Sequence, residues 1–297
     1  MRTAFIKELI DQARINPSIF LIVGDLGYSV VEPFAGEFPD RFINAGVAEQ
    51  NMTGVAAGLA SEGYHVFTYS IANFPTLRCL EQIRNDICYH NLAVTVVSVG
   101  AGLAYGNLGY SHHAIQDFAA MRGMPNITIL SPADTGETRE CVKWLSTHAG
   151  PSYLRIGKAG EPELFQSSSL RDSHVLVAKG SEHKAIVCTG SILRVALEAV
   201  SEVPLGQRPS VYSLPIVQPI SERTINEFAK YQALLVMEEH VRQGGLFAAL
   251  CEVMPPQSVL SHCFVNPQLV TKVGSQSYLW EQAKFKAAAS DFIRESL

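Results

Sequence analysis

Short, wholly apolar runs alternate along the first half of the chain with stretches whose apolar residues recur at helical spacing. Residues 3–15 read as an amphipathic helix that Asn16-Pro17 stops. The buried-strand run Ile19-Phe20-Leu21-Ile22-Val23 follows, closed by Gly24-Asp25-Leu26-Gly27. The same alternation predicts strands over 66–69, 93–99, 127–130 and 152–155, with helices over about 74–89, 114–122 and 134–147. Strands that are apolar throughout belong to sheets covered on both faces, so the fold class expected is α/β with a mostly parallel sheet flanked by helices.

The pattern breaks at Pro162 and Gln166-Ser167-Ser168-Ser169, then restarts. Strands are predicted near 173–178, 184–189, 209–213 and 233–238, separated by helices near 191–202, 221–229 and 245–254. Two α/β domains are therefore expected, over 1–165 and 173–297, with 166–172 as linker. Neither an internal repeat nor a low-complexity tract is evident.

Composition narrows the function classes. The chain has 297 residues, 47% of them hydrophobic and 17% charged, with a net charge of −5. That balance makes no electrostatic case for nucleic acid or an anionic membrane as partner. The six cysteines are scattered with no CxxC pair, which fits a reducing cytoplasm rather than a disulfide framework or zinc site. The first residues read as the start of an amphipathic helix; neither a signal peptide nor a membrane span is expected, and the localisation expected is cytoplasmic.

Candidate chemistry gathers where strands end. In Phe42-Ile43-Asn44-Ala45-Gly46-Val47-Ala48-Glu49-Gln50-Asn51-Met52, an apolar run ends at Asn44, read as a helix N-cap. A helix rich in small residues follows to near Gly63, and it carries one carboxylate, Glu49, in its first turns. A lone acid among core-like residues is costly to bury unless something meets it. Tyr69 and Phe74 flank the end of the next strand. A loop from Gly100 to His113, with glycines at 100, 102, 106 and 109, permits close approach of a ligand and ends in His112-His113. His113 and Asp117 have the spacing of a helical metal pair, but no third ligand is evident and no metal ligand is assigned. Glu238-Glu239-His240 ends a strand of the second domain and reads as a domain or subunit contact.

Gly46-Val47-Ala48-Glu49-Gln50-Asn51-Met52, Tyr69-Ser70 with Phe74, Ser111-His112-His113, Met124-Pro125-Asn126 and Ser131-Pro132-Ala133-Asp134 stand in the order found in transketolases and deoxyxylulose-phosphate synthases. Over essentially its whole length the chain resembles their C-terminal half, a pyrimidine-binding domain followed by the transketolase C-terminal domain. The resemblance implies that the Glu49 carboxyl hydrogen-bonds N1′ of the thiamine diphosphate aminopyrimidine and favours the imino form that deprotonates the thiazolium. Burial is then expected to outweigh the helix N-terminus and raise the Glu49 pKa. Tyr69 is placed among the cofactor-binding residues. Phe74 matches the aromatic that stacks on the pyrimidine, and Arg78 a site arginine of the synthases at an offset spacing. His112 matches the histidine facing the reactive carbon and the substrate, and His113 is placed with it among the substrate residues.

The Gly-Asp-Gly…Asn motif that holds the diphosphate and its divalent metal, Mg²⁺ (or Ca²⁺ or Mn²⁺), is missing; Gly24-Asp25-Leu26 lies elsewhere in the domain. The resemblance thus implies one subunit of a split enzyme, paired with an N-terminal subunit in an α2β2 assembly with the cofactor between them. Its implied activity is transfer of a two-carbon ketol unit from a ketose to an aldose. Ala48 stands where transketolases carry arginine, a second histidine is replaced by the area Ser98-Val99-Gly100-Ala101, an acidic position is Leu108, and the phosphate-gripping arginine is matched by Lys158. These departures favour a modified or non-phosphorylated sugar. The alternatives are a 2-oxo-acid dehydrogenase beta-type subunit, a deoxyxylulose-phosphate-synthase-like condensing enzyme, and a non-catalytic paralogue.

Overall fold

The computed structural model describes residues 1–165, 170 and 173–295. The linker expected at 166–172 therefore lies, apart from Leu170, outside the described residues.

In chain order the first part runs α1 (Arg2–Ile15), β1 (Ile19–Val23), α2 (Glu32–Glu37), β2 (Phe42–Asn44), α3 (Glu49–Ser61) and β3 (His65–Ile71). A segment of mixed helical turns, Leu77–Cys79, α4 (Leu80–Gln82) and Ile83–Cys88, leads to β4 (Val94–Val99). Then come α5 (Asp117–Arg122), β5 (Thr128–Leu130), α6 (Thr135–Leu145) and β6 (Ser152–Ile156). The second part comprises β7 (Val175–Ala178), β8 (Ser181–Thr189), α7 (Leu193–Ser201), β9 (Pro209–Ser213), β10 (Ile216–Gln218) and α8 (Glu222–Phe228). It ends with β11 (Ala233–Glu238), α9 (Leu246–Val253), β12 (Val259–Cys263), α10 (Gln276–Gln282) and α11 (Phe285–Arg294).

These strands form two mostly parallel sheets, ordered β10-β5-β6-β4-β3-β1-β2 and β12-β11-β8-β9-β7. The strands β1, β4 and β6, buried at every position, lie where the sequence predicts strands, as a sheet covered on both faces requires. One strand departs from the expected layout. β10 follows the second part's β9 yet pairs antiparallel with β5, Ile216 opposite Leu130, and so completes the first sheet. A continuous apolar core accordingly joins Phe118, Met121 and Ile129 to Tyr212, Leu214, Phe228 and Leu246.

The reading of Asn44 as helix N-cap is corrected. Asn44 ends β2, and α3 starts at Glu49 after Ala48, whose φ of −144° breaks the helix. The Asn44 side chain is engaged locally: it accepts from the amides of Asp25 and Gly46 and donates to Asp25. A short Asx turn thus outcompetes a cap four residues further on.

Two buried ionisable groups make stability depend on pH. Glu137 on α6 is 0% exposed, and burial pushes its carboxyl up to about 7. His65 opens β3, stacks on Phe67 at 5.0 Å, and has no partner at Nε2; burial pushes its imidazole down to about 4, helped by nearby His148. Between the ordinary value of 6.5 and about 4, the unfolded chain binds a proton that the fold excludes. The His65 contribution is therefore complete above pH 6.5 and lost as pH falls toward 4. Between about pH 7.5 and about pH 5, urea unfolding of the wild type should lose about 2 kcal/mol more than that of His65→Phe. Equal losses would show that His65 is charged in the folded chain. Comparing the two proteins cancels the opposite slope from Glu137, which weakens the fold as pH rises from 4.5 to about 7.

Candidate active site at the carboxyl ends of the first sheet

Parallel strands bring their following loops to one end of the sheet, which is where the candidate residues collect. β2 leads to α3 and Glu49, β3 to Asn73, Phe74 and Arg78, β4 to the loop bearing His112, and β6 to Lys158.

Glu49 is 3% exposed, the first residue of α3, with its backbone carbonyl accepting from Thr53 Oγ1 at 2.8 Å. Gly24 after β1 lies against it: a Cβ there would be in ordinary contact with Glu49 Cγ at 3.6 Å and Ser70 Oγ at 3.4 Å. The Glu49 carboxylate pairs with Arg78 Nη1 at 2.7 Å. The same guanidinium sits over the Phe74 ring, 4.8 Å from its centroid. The half-buried Phe74 ring meets the His112 imidazole edge-on at 5.3 Å, and His112 meets Tyr105 at 6.2 Å. Lys158 Nζ stands 5.1 Å from the Tyr105 ring centroid, with no hydrogen-bond or ion-pair partner among the described residues. Glu49, Arg78, Phe74, His112, Tyr105 and Lys158 thus form one continuous arc.

The two adjacent histidines have separate environments. His112 is half-buried, its Nδ1 3.0 Å from Ser111 Oγ. His113 is fully buried, and burial, reinforced by His112 and opposed by the Gly106 backbone, holds its pKa below the ordinary histidine value. Asn73 ties this end of the loop to β3, donating to the carbonyls of Ser111 at 3.2 Å and His113 at 3.0 Å. The His113–Asp117 spacing does not make a metal pair. Asp117 is taken by Arg155 at 2.8 Å and by the Tyr153 hydroxyl at 2.6 Å. Among the described residues no group of three His, Cys, Asp or Glu is placed to hold a metal ion.

Tyr69 is not brought to the arc. It is 0% exposed and its ring stacks on Phe5 of α1 at 5.7 Å, on the opposite side of β3 from Ser70. Alternation along a strand decides this: if Ser70 faces Gly24 and Glu49, Tyr69 faces the core. Ser70 stands in the quoted motif, but the sequence alone gives it no role. Its hydroxyl is buried and unpartnered beside Glu49. The period-two rule applied to a strand with Tyr69 in the core would have found it. Asn73 and Tyr105 were also missed, because contacts between separate loops leave no local signal.

The family model "Transketolase, pyrimidine binding domain" matches residues 1–160, and "Transketolase, C-terminal domain" matches 173–267. The chain belongs to the transketolase family. It is 31% identical over 266 residues to one of the subunits of the apulose-4-phosphate transketolase of Phocaeicola vulgatus, covering 87% of this chain and 84% of that one. It is 32% identical over 261 residues to a putative transketolase C-terminal section of Methanocaldococcus jannaschii, covering 86% and 81%. A solved structure described as a split gene transketolase, inactive beta4 tetramer, superposes with a TM-score of 0.84 at 33% identity, over 98% of this chain and 97% of that one. The chain therefore matches transketolase subunits of the split type over most of their length.

Diethyl pyrocarbonate acylates accessible imidazoles. Tandem mass spectrometry of the treated chain should find the label on His112 and not on His113. Equal labelling of the pair would contradict the buried position of His113.

Proposed function

We propose that this chain is the C-terminal subunit of a thiamine-diphosphate-dependent transketolase that moves a two-carbon ketol unit from a ketose to an aldose. The observation that carries the reading is the arc from Glu49 to Lys158, together with the family membership. Thiamine diphosphate supplies a carbon nucleophile and an electron sink, chemistry that no side chain here provides.

The residues present fit its aminopyrimidine. Glu49 offers a carboxyl group buried at a helix start, Phe74 a flat apolar face, and Ser70 an unpartnered buried hydroxyl next to Glu49. Arg78 contacts the same carboxylate and the same ring, and it is exposed on a long side chain that a bound heterocycle can displace. With the cofactor bound, Glu49 would be the group that shares a proton with a nitrogen of the aminopyrimidine. His112, half-exposed and edge-on to Phe74, is placed to give or take a proton at the substrate's carbonyl or hydroxyl oxygen. Lys158 offers an unpaired charge to an anionic group on the substrate, as a point charge without the fork of an arginine.

The diphosphate and a divalent metal, Mg²⁺ with Ca²⁺ or Mn²⁺ as substitutes, are assigned to an N-terminal subunit. The Asp25 carboxylate of Gly24-Asp25 is engaged by Asn44. The surface around the arc supports such a partner: Val47 is 75% exposed, Tyr28 73%, Tyr110 52%, Leu108 50% and Leu77 41%, an apolar rim suited to a covering subunit. The beta chain of the solved split-gene relative is described as inactive when it assembles on its own, which agrees with a shared site. An α2β2 complex follows from this reading. All six cysteines are free, in keeping with a reducing cytoplasm, and among the described residues no helix is long and apolar enough to cross a membrane.

Calorimetry of thiamine diphosphate with Mg²⁺ tests the shared site. Tight binding is expected for this chain co-purified with its N-terminal partner and not for the chain alone; tight binding by the chain alone would refute the split site. In the complex, Glu49→Gln should lower kcat by about 10²–10⁴-fold with assembly intact. An unchanged rate would favour a non-catalytic paralogue. Lys158→Ala should raise KM about tenfold for a substrate with an anionic terminal group and leave neutral sugars unaffected, a loss of about 1.4 kcal/mol. Equal effects on both would remove Lys158 from the substrate site.

A further inference from the structure

The second sheet contributes no side chain to the arc, yet it grips the loop that carries His112. Gly102 and Ala114 pair through both backbone hydrogen bonds, at 3.1 and 2.9 Å, and close residues 103–113 into a loop with a narrow neck. Both strands of that neck are held from the end of β11. The Leu103 amide donates to Glu239 Oε1 at 3.1 Å, and the Val241 amide donates to the Ile115 carbonyl at 2.9 Å. Arg155 bridges the two sides by donating to the carbonyls of Ala114 and Glu239.

Glu239 is the centre of this junction. It is 2% exposed, and its carboxylate also receives the Trp280 indole N–H at 2.6 Å, the Ser191 hydroxyl at 3.0 Å and the Gln276 amide at 3.0 Å. Every contact is a donor, and one of them belongs to the His112 loop. The approach is too close for any side chain at position 102: Gly102 has φ +59°, and a Cβ there would lie 2.4 Å from Glu239 Cβ. Apolar packing follows the same path. Leu103 and Ile115 are buried in one cluster with Ile186, Met237, Leu279 and Trp280 of the second part. The loop is thus anchored at its neck by the second sheet, and Asn73 holds the carbonyls on either side of His112, next to the Ala114 side of that neck.

We infer that Glu239 is a positioning residue, which fixes the neck of the 103–113 loop and thereby holds the His112 imidazole against Phe74. The inference rests on the role given to His112 in the proposed function. It assigns the second domain a part in the chemistry that requires no contact with cofactor or substrate. An amide at position 239 keeps one acceptor oxygen where the carboxylate offers two to Leu103, Trp280, Ser191 and Gln276, so Glu239→Gln weakens the Leu103 anchor with little change in volume. Small displacements of a reacting group cost up to about 10² in rate, while binding of the substrate elsewhere persists.

The test combines hydrogen exchange on the full chain with kinetics of the complex formed with its N-terminal partner. In Glu239→Gln, amides over 102–114 should exchange at least about tenfold faster while β8 and β11 stay protected, as expected for local opening. kcat should fall by about 10–10²-fold with KM for the ketose within about threefold. Gly102→Ala approaches the same contact from the loop side, leaves the donors of the second domain in place, and should reproduce both effects. It decides the matter if Glu239→Gln loses the protection of the second sheet. Loop exchange equal to wild type, or faster exchange with unchanged kcat, would overturn the inference. A wild-type complex without ketol transfer would instead overturn the proposed function, and the exchange measurement would still decide whether Glu239 holds the loop.

Discussion

The carboxyl ends of the two sheets meet at a buried ionic junction, and the geometry of the candidate site depends on it. Arg155, 1% exposed at the end of β6, pairs with the fully buried Asp117 and stacks over Phe118 at 4.3 Å. Charges taken so far from water persist when partners meet them on most sides, and removing one partner strands the other. Arg155 satisfies backbone carbonyls from both the His112 loop and β11, while Asp117 accepts from Tyr153. His240 lies 4.0 Å from Asp117, and burial lowers its pKa. Such a cluster adds little net stability compared with an apolar replacement, but it tolerates few arrangements. Its yield is one fixed relation between loop, sheet and second domain.

On that foundation the arc divides its tasks. Glu49 and Phe74 come from segments whose backbones are set by the first sheet. His112 and Tyr105 come from a loop that both sheets restrain. In the proposed function the cofactor would rest on residues that directly follow strands of the first sheet, and the substrate on a loop held by Glu239 and Asn73. Leu108 and Lys158 lie on loops separate from the segment that carries Glu49, so a change at either leaves the Glu49 surroundings in place.

The parts of this arrangement legible in the sequence were those with local causes. Mainly apolar runs over 19–23 and 93–99 marked buried strands, and the small residues around and after Ala48 marked a helix pressed close to its neighbours. Glu49 stood out as an acid in that setting, and the glycines of the 100–113 loop announced close backbone approach. What escaped had non-local causes. β10 is three residues long and finds its partner on β5, far away in the chain. Asn44 followed a rule for helix starts, but a turn with Asp25 claimed its side chain first. Tyr69 sat in the right motif and on the wrong face of its strand. Glu238-Glu239-His240 was read as a contact surface, which holds for Glu239; its link to the His112 loop needed the three-dimensional neighbourhood.

The strand exchange at β10 bears on how such a chain can be divided. A polypeptide cut at the linker would leave β5 as a bare edge with unpaired amides and carbonyls, the surface through which strands recruit foreign strands. The other fragment would carry a homeless strand and half of a shared apolar core. Gene fission or modular shuffling at this seam is therefore penalised by aggregation.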